Sequence, residues 1–360
     1  MEGLGLQANV TGNTLGSVSV QCWVCLALIS LQPALFAGWG KAKPKKSRVE
    51  KILPAIGNLT AEECSKLKRA LKMRESQVEG SVVLQKRADN IKGCPHCGSV
   101  SFQKWGRYKG NQRFRCHDCA KTFSPITGTP LAGLRHGEKH IANAKYMVAG
   151  MTVRKTAKAL GVSVPTAFRW RHRFLEAMSQ MNPTELSGIV EADETFFKES
   201  FKGRKKDMPR PAKRRGEPAS QRGLSREQIP VLVARDRSTD KTLTKVLPSR
   251  TAKDIGKALV PALAMDVVLC SDNASAYRSL AKAMDIELRC VPANPKKKRK
   301  GEAYHIQNVN AYDSRLKGWM VRFRGVATKN LPNYLGWHRY LDVPATKPSP
   351  RKFLTGALGD

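Results

Sequence analysis

The sequence predicts an α/β protein: a mixed sheet flanked by helices, preceded by a four-cysteine metal module and two helices joined by a glycine turn. Three observations carry this. Two Cys-x-x-Cys pairs stand between residues 94 and 119, and a helical pattern interrupted at Gly161 runs from about 137 to 182. From Gly188 the hydrophobic period changes, with strands first and then helix and strand in alternation.

At 360 residues and 41% hydrophobic content the chain is long enough for two or three packed domains. Its formal net charge of +35 far exceeds what solubility requires and calls for a polyanionic partner. Nucleic acid fits better than a membrane surface, because the basic residues are scattered through folded segments rather than gathered in one juxtamembrane cluster. Nine cysteines, an odd count whose clearest regularity is the paired spacing, favour metal over disulfides and a reducing compartment.

Residues 1–45 are expected to be an extension, unstructured or a mis-assigned start. Their apolar stretch Val18–Trp39 is interrupted by Gln21, Ser30, Gln32 and Pro33 and makes a poor signal peptide and a marginal membrane span. Cys22 and Cys25 have metal spacing but no second pair nearby, and nothing is assigned to them. A helical segment is expected over 46–90, with Thr60-Ala-Glu-Glu63 as a capping box and Cys64, Leu67 and Leu71 on one face.

The metal module spans 91–130. Cys94 and Cys97, then eighteen residues, then Cys116 and Cys119 form two knuckles around a hairpin of Phe102–Trp105 and Arg113–Arg115. Four sulfurs close a tetrahedron, which predicts a structural Zn2+ ribbon with no open position for catalysis. Lys104, Arg107, Lys109, Arg113 and Arg115, interleaved with Trp105, Tyr108 and Phe114, suit phosphate contact and base stacking or, for the aromatics, a small core.

Over 137–182, Val153–Leu160, Gly161-Val-Ser163 and Val164–Met178 read as a helix-turn-helix, with Ala157, Leu160, Val162 and Ala167 at the contact. Its second helix is expected to expose Thr166, Arg169, Arg171 and Arg173 to the major groove of double-stranded DNA. The α/β domain is expected over 186–342, followed by a tail at 343–360. Ile189–Asp193, Ile229–Ala234, Thr242–Val246 and Val267–Ser271 read as strands, and 252–264 and 276–284 as helices. The basic stretch 198–228 reads as a long loop, solvated or DNA-contacting, and Pro295–Lys300 as a DNA-facing loop.

Asp193 is expected to end the first strand and Asp272 the fourth, each placed to hold Mg2+ beside a cleft. On the polar helix His305–Lys317, Asn310 and Lys317 are seven apart and share a face. Glu191 points with Asp193 and is expected as an auxiliary ligand, and Glu194 as surface charge.

These motifs resemble those of the zinc-ribbon transposases of insertion-sequence family fifteen-ninety-five, the group related to the Xanthomonas-type insertion element. The resemblance lies in Cys94–Leu131 with Phe123–Pro130, in Gly188–Thr195, in Leu269–Tyr277 and in His305–Lys317, and spans about residues 60–342. It implies an RNase H-like mixed-sheet catalytic domain behind the zinc ribbon and helix-turn-helix, and a variant Asp-Asp-Glu-type site of Asp193, Asp272, Asn310 and Lys317. Asn310 departs from an acidic third ligand, and Asp313, one turn on, is the substitute. The implied activity is strand cleavage and strand transfer with Mg2+ or Mn2+, on element terminal repeats and target DNA. The expected state is a homo-oligomer on DNA, cytoplasmic and nucleoid-associated in a bacterium, with no membrane. The alternatives are an inactive DNA-binding regulator and a nuclease that cuts without joining.

Overall fold

A computed structural model describes residues 47–108, 110–204, 206–211, 225, 227–272, 274–291, 303–343 and 348–359. The readings placed on residues 1–45, on Lys109, on part of the basic stretch 198–228 and on Pro295–Lys300 lie outside them. The chain divides into two compact units, residues 1–64 and 65–360.

In the first unit, α1 (Arg48–Ile56) starts at a capping box in which Ser47 and Glu50 satisfy each other's backbone N–H groups. Its stripe Val49, Ile52, Leu53 and Ile56 is exposed. The expected box at Thr60 is present: the Glu63 N–H donates to Thr60 Oγ1 at 3.3 Å, and the Thr60 N–H to Glu63 Oε2 at 2.8 Å. It opens α2 (Ala61–Asp89), of which residues 65–89 belong to the second unit.

The ribbon is a three-stranded antiparallel sheet of β1 (Phe102–Tyr108), β2 (Asn111–Cys116) and β3 (Thr122–Phe123). Phe102, Phe114 and Phe123 pack ring against ring at 5.4–5.6 Å and make its small core. The other aromatics face outward, Trp105 under the Arg115 guanidinium at 4.8 Å and Tyr108 exposed.

Three helices follow: α3 (His140–Val148), α4 (Val153–Leu160) and α5 (Val164–Gln180). Thr152 and Ser163 cap α4 and α5 through their hydroxyls, and Gly161 ends α4 at φ 62°, a left-handed conformation that a Cβ would strain. Ala157, Leu160 and Ala167 are buried at the turn, as the helix-turn-helix pattern requires.

The large sheet has β4 (Ile189–Lys198) at its centre. On one side run β5 (Gln228–Asp236) and β6 (Thr242–Val246), antiparallel, and on the other β7 (Val268–Asp272) and β8 (Glu287–Val291), parallel. The order β6-β5-β4-β7-β8 is the RNase H-like mixed sheet that the resemblance implies. Helices α6 (Ala252–Leu259) and α7 (Ser275–Met284) cover one face, over Val190, Ala192, Leu232 and Ala234. Helix α8 (Gln307–Val321) covers the other, over Val231 and Val233. Period-two alternation along β4 and β5 therefore serves two cores.

Helices α9 (Leu331–Leu341) and α10 (Pro350–Ala357) are not among the elements expected from the sequence, and α10 lies in the expected tail, residues 343–360. Phe353, Leu354, Ala357 and Leu358 of that segment are buried in a core shared with α3, α5 and α9. A Cβ on Gly336 would lie 2.5 Å from the Met178 carbonyl oxygen, so only glycine lets α9 approach α5 this closely. Arg339 of α9 donates to the Met178 and Met181 carbonyls, to Asn182 Oδ1 and to Thr244 Oγ1, joining the end of α5 to β6. Among the described residues no helix is long and apolar enough to cross a membrane.

Candidate active site and metal centre

Asp193 sits in the middle of β4, not at its end: the strand runs five residues further, because Phe196 and Phe197 keep pairing with β5. Asp272 is the last residue of β7, as expected. The parallel register pairs Glu191 with Cys270, and two residues on it brings Asp193 level with Asp272 on the same face. Neighbouring strands lie about 4.8 Å apart, so the two carboxylates are placed to share one cation or a close pair.

Electrostatics agree with that placement. Burial pushes the Asp193 carboxyl above its ordinary value against the backbone N–H of Glu194, which donates to Asp193 Oδ1 at 2.7 Å; the Asp272 charge adds to the rise and Lys317 opposes it. Asp272 Oδ1 accepts from the Ala274 N–H at 3.2 Å, which fixes the carboxylate at the start of α7.

Helix α8 presents Asn310, Asp313 and Lys317 along one face. Asn310 and Lys317 are exposed, whereas Asp313 is buried. Burial raises Asp313 to about 7; Lys317 lowers it and Asp193 raises it. Lys317 and Asp313 are thus brought to Asp193, and Asn310 stands one turn before Asp313 on the same face.

Glu191 has a different part from the one the sequence suggested. It is fully buried, and its carboxylate accepts from the Asn308 and Val309 N–H groups at 2.8 and 3.2 Å, from Asn308 Nδ2 and from two nitrogens of Arg237 at 2.9 and 3.0 Å, with His305 at 3.2 Å. A carboxylate at a helix N-terminus is stabilised by the free N–H groups and the dipole, so Glu191 anchors α8 to β4 rather than facing a metal.

Glu194 is likewise no simple surface charge. It points to the other face of β4, half-buried, and accepts a hydrogen bond from Tyr277 of α7, whose hydroxyl is buried. Burial raises its carboxyl against that bond, and Asp193 and Asp272 raise it further. The link ties β4 to the helix that follows Asp272. The signal was present in the sequence, since Tyr277 closes the motif that contains Asp272.

In the ribbon the Cys94, Cys97, Cys116 and Cys119 sulfurs all lie within 4.8 Å of one another, with Cys94–Cys119 at 3.7 Å and Cys97–Cys116 at 3.6 Å. Zn–S bonds of about 2.3 Å in a tetrahedron put sulfurs about 3.8 Å apart, so these thiols are arranged to hold one such ion.

On α5, Thr166 is partly exposed and Arg169 exposed. Arg171 corrects the expectation. It is 3% exposed, donates to the Met151 carbonyl and lies 5.0 Å over the Trp337 ring. It falls on the buried stripe of Ala167, Phe174, Leu175 and Met178, a spacing legible in the sequence. Arg173 is half-buried, bonded to the Ala132 carbonyl and paired with Glu176 at 3.6 Å.

Residues 185–340 match the ISXO2-like transposase domain and residues 138–179 a homeodomain-like helix-turn-helix. Residues 185–340 thus form an ISXO2-like transposase domain. An uncharacterized protein in transposable element ISH50 of Halobacterium salinarum is 28% identical over 247 residues, 67% of this chain and 82% of that protein. Among solved structures, the HTLV-2 integrase catalytic core in complex with magnesium aligns over 48% of this chain and 94% of its own, at 9% identity and TM-score 0.26. A pre-cleavage Mos1 transpososome aligns over 61% and 79%, at 14% identity and TM-score 0.20. The fold of this domain is given by its own sheet order, β6-β5-β4-β7-β8.

Proposed function

We propose that this transposase cleaves DNA strands at the ends of its element and joins the freed 3′ ends to target DNA, with Asp193 and Asp272 holding Mg2+ or Mn2+ and Asn310 completing the protein ligands. The observation that carries this is the register of β4 and β7, which sets the two aspartates level on the face that α8 covers. The donors are all oxygen and crowd like charge, which fits a hard divalent cation. Bound there, the metal would supply an activated water or 3′-hydroxyl and stabilise the leaving oxygen.

The chain's own residues orient and bind. Glu191 holds α8 in place, so Asn310 and Lys317 stand over the strand. Lys317 neutralises a phosphate oxygen beside the cut. Glu194 and Tyr277 fix α7 and, through it, Asp272. Zinc in the four-cysteine ribbon stiffens that module, and Thr166, Arg169 and the accessible part of Arg173 read the terminal repeat in double-stranded DNA, in a homo-oligomer that pairs two ends. The substrate places the work at the chromosome, in a cytoplasmic and nucleoid-associated setting.

The test is cleavage and joining of a duplex carrying the element's terminal repeat. Asp193→Ala and Asp272→Ala should each lose both reactions while binding the duplex nearly as well as the wild type, since α5 and the ribbon are untouched. Cleavage by either variant at the wild-type rate would overturn the proposal. A wild-type protein that binds the repeat and never cuts would favour the regulator.

A further inference from the structure

A groove of about 930 Å³ lies between the end of α2, the ribbon and the α9–α10 pair, on elements that carry none of Asp193, Asp272, Asp313, Glu191 and Glu194. Its lining is mostly apolar and includes Tyr340, whose ring packs edge-on with Phe353 and whose hydroxyl donates to the Ser349 carbonyl. Lys86, Lys92, Arg351 and Lys352 stand around the rim, and no residue lining it is acidic. Arg87 also lines it but is engaged with the Pro125 carbonyl at 2.7 Å, and Arg351 is paired with Glu79 at 3.2 Å.

Cations around an apolar cleft fit a strand whose phosphates are charged and whose bases are free to leave water. A duplex offers the phosphates but keeps its bases stacked and paired inside, so it cannot fill an apolar cleft. An acidic peptide could meet the rim, but it offers a flat face only where an aromatic residue falls, whereas every nucleotide carries one. Single-stranded nucleic-acid sites combine these same two features, a basic track and an aromatic or apolar surface for bases.

We propose that this groove binds single-stranded DNA, rim cations on the phosphates and one or more unstacked bases inside. The inference rests on the reading of the chain as a DNA-processing enzyme, but not on Asp193, Asp272 or any metal they hold. A transposition intermediate supplies such a strand wherever one strand of a duplex is cut and its end frays.

The experiment is equilibrium binding of fluorescent probes to the full-length protein without added Mg2+, so that no cleavage intervenes. The probes are oligothymidine of about 15 nucleotides and an abasic oligomer of equal length and charge. Wild type should prefer the oligothymidine by roughly fivefold or more, the amount one stacked base contributes. Lys86→Glu with Lys352→Glu should remove that preference and weaken oligothymidine binding about tenfold, in line with a basic track that follows the backbone. Lys253→Glu with Lys282→Glu, the same charge change on exposed residues of α6 and α7, should keep the preference.

Circular dichroism checks that the double variants fold; if the first does not, the single changes Lys86→Ala and Lys352→Ala carry the test, each reducing the preference. Equal affinity of wild type for the two probes, or a preference that survives in the folded groove variants, would overturn the proposal. Competition by polyglutamate as strong as that by oligothymidine would overturn it in favour of an acidic peptide. Because the assay reads no chemistry, an inactive Asp193 and Asp272 pair would leave these outcomes unchanged.

Discussion

The four thiols of the ribbon and the two carboxylates of the sheet are assembled in opposite ways. The thiols come from one short stretch, residues 94–119, and close on each other around a core of three phenylalanines. The carboxylates come from β4 and β7, with a third group on α8, and they meet only because the whole mixed sheet forms and Glu191 ties the helix down. A local site of this kind depends on its ion for folding, whereas a distributed site depends on its framework for function.

That contrast can be broken at either end. The largest effect should come from Cys94→Ser with Cys116→Ser. Structural zinc in small modules supplies on the order of 10 kcal/mol of folding free energy, and three phenylalanines cannot replace it. Metal content should drop by one zinc per chain, and amide hydrogens of β1–β3 should lose protection while those of β4 and β5 keep theirs. Retained ribbon protection would show that the module folds without an ion.

The framework is probed by Glu191→Ala, which leaves Arg237 and the N-terminus of α8 without their buried partner. Removing one member of a buried ion pair costs about 3–5 kcal/mol, so the denaturation midpoint of the second unit should fall markedly. Glu191→Gln should lose less, because the amide oxygen still accepts from the α8 N–H groups. Equal midpoints for wild type and Glu191→Ala would remove the anchoring role.

A smaller effect separates two arginines two residues apart. Arg171→Ala removes a buried guanidinium, its bond to the Met151 carbonyl and its packing on Trp337, and should destabilise by about 1–3 kcal/mol. Arg169→Ala should change stability by no more than about 0.5 kcal/mol and instead reduce preference for the terminal repeat over random duplex. Thermal melting and competitive binding read the two arms, and an exchange of the two phenotypes would contradict the burial of Arg171.

The smallest effect is one of pH. Burial alone would raise Asp236, but hydrogen bonds from Ser238, Thr239 and Ser187 outweigh it and take its carboxyl down to about 2. A lowered carboxyl contributes stability that is present above its unfolded value near 3.8 and is lost as pH falls through 2. Between pH 5 and pH 2, melting temperature should therefore drop less in Asp236→Asn than in the wild type, from a lower starting point. Parallel curves would deny Asp236 that share.

The same contrast explains what was legible in the sequence. The ribbon, the helix-turn-helix and the capping box at Thr60 were readable because each is local: spacing, a glycine turn and a reciprocal cap are written in consecutive residues. Asp193 and Asp272 were found by their strands and by resemblance, but their alignment depends on a parallel register that no local pattern encodes. Glu191 and Glu194 were misread because strand alternation tells which face a side chain takes, not what covers that face. Here α8 and its N-terminus lie over one and Tyr277 over the other. Arg171 is a simpler case: its charge points to an exposed role, but its position on the apolar stripe of α5 puts it in the core. Helices α9 and α10 escaped because their aromatic residues pack against α3 and α5, a partner far away in the chain.

The central claim, that the aspartates of β4 and β7 hold the catalytic cation together, is tested most directly by Mn2+ titration of the zinc-loaded protein on a duplex carrying the terminal repeat, followed by electron paramagnetic resonance. Wild type should take up Mn2+, Asp193→Ala and Asp272→Ala should each lose that uptake with zinc content and duplex binding intact, and Asn310→Asp should bind it more tightly. Mn2+ uptake by both alanine variants equal to that of the wild type would contradict the account.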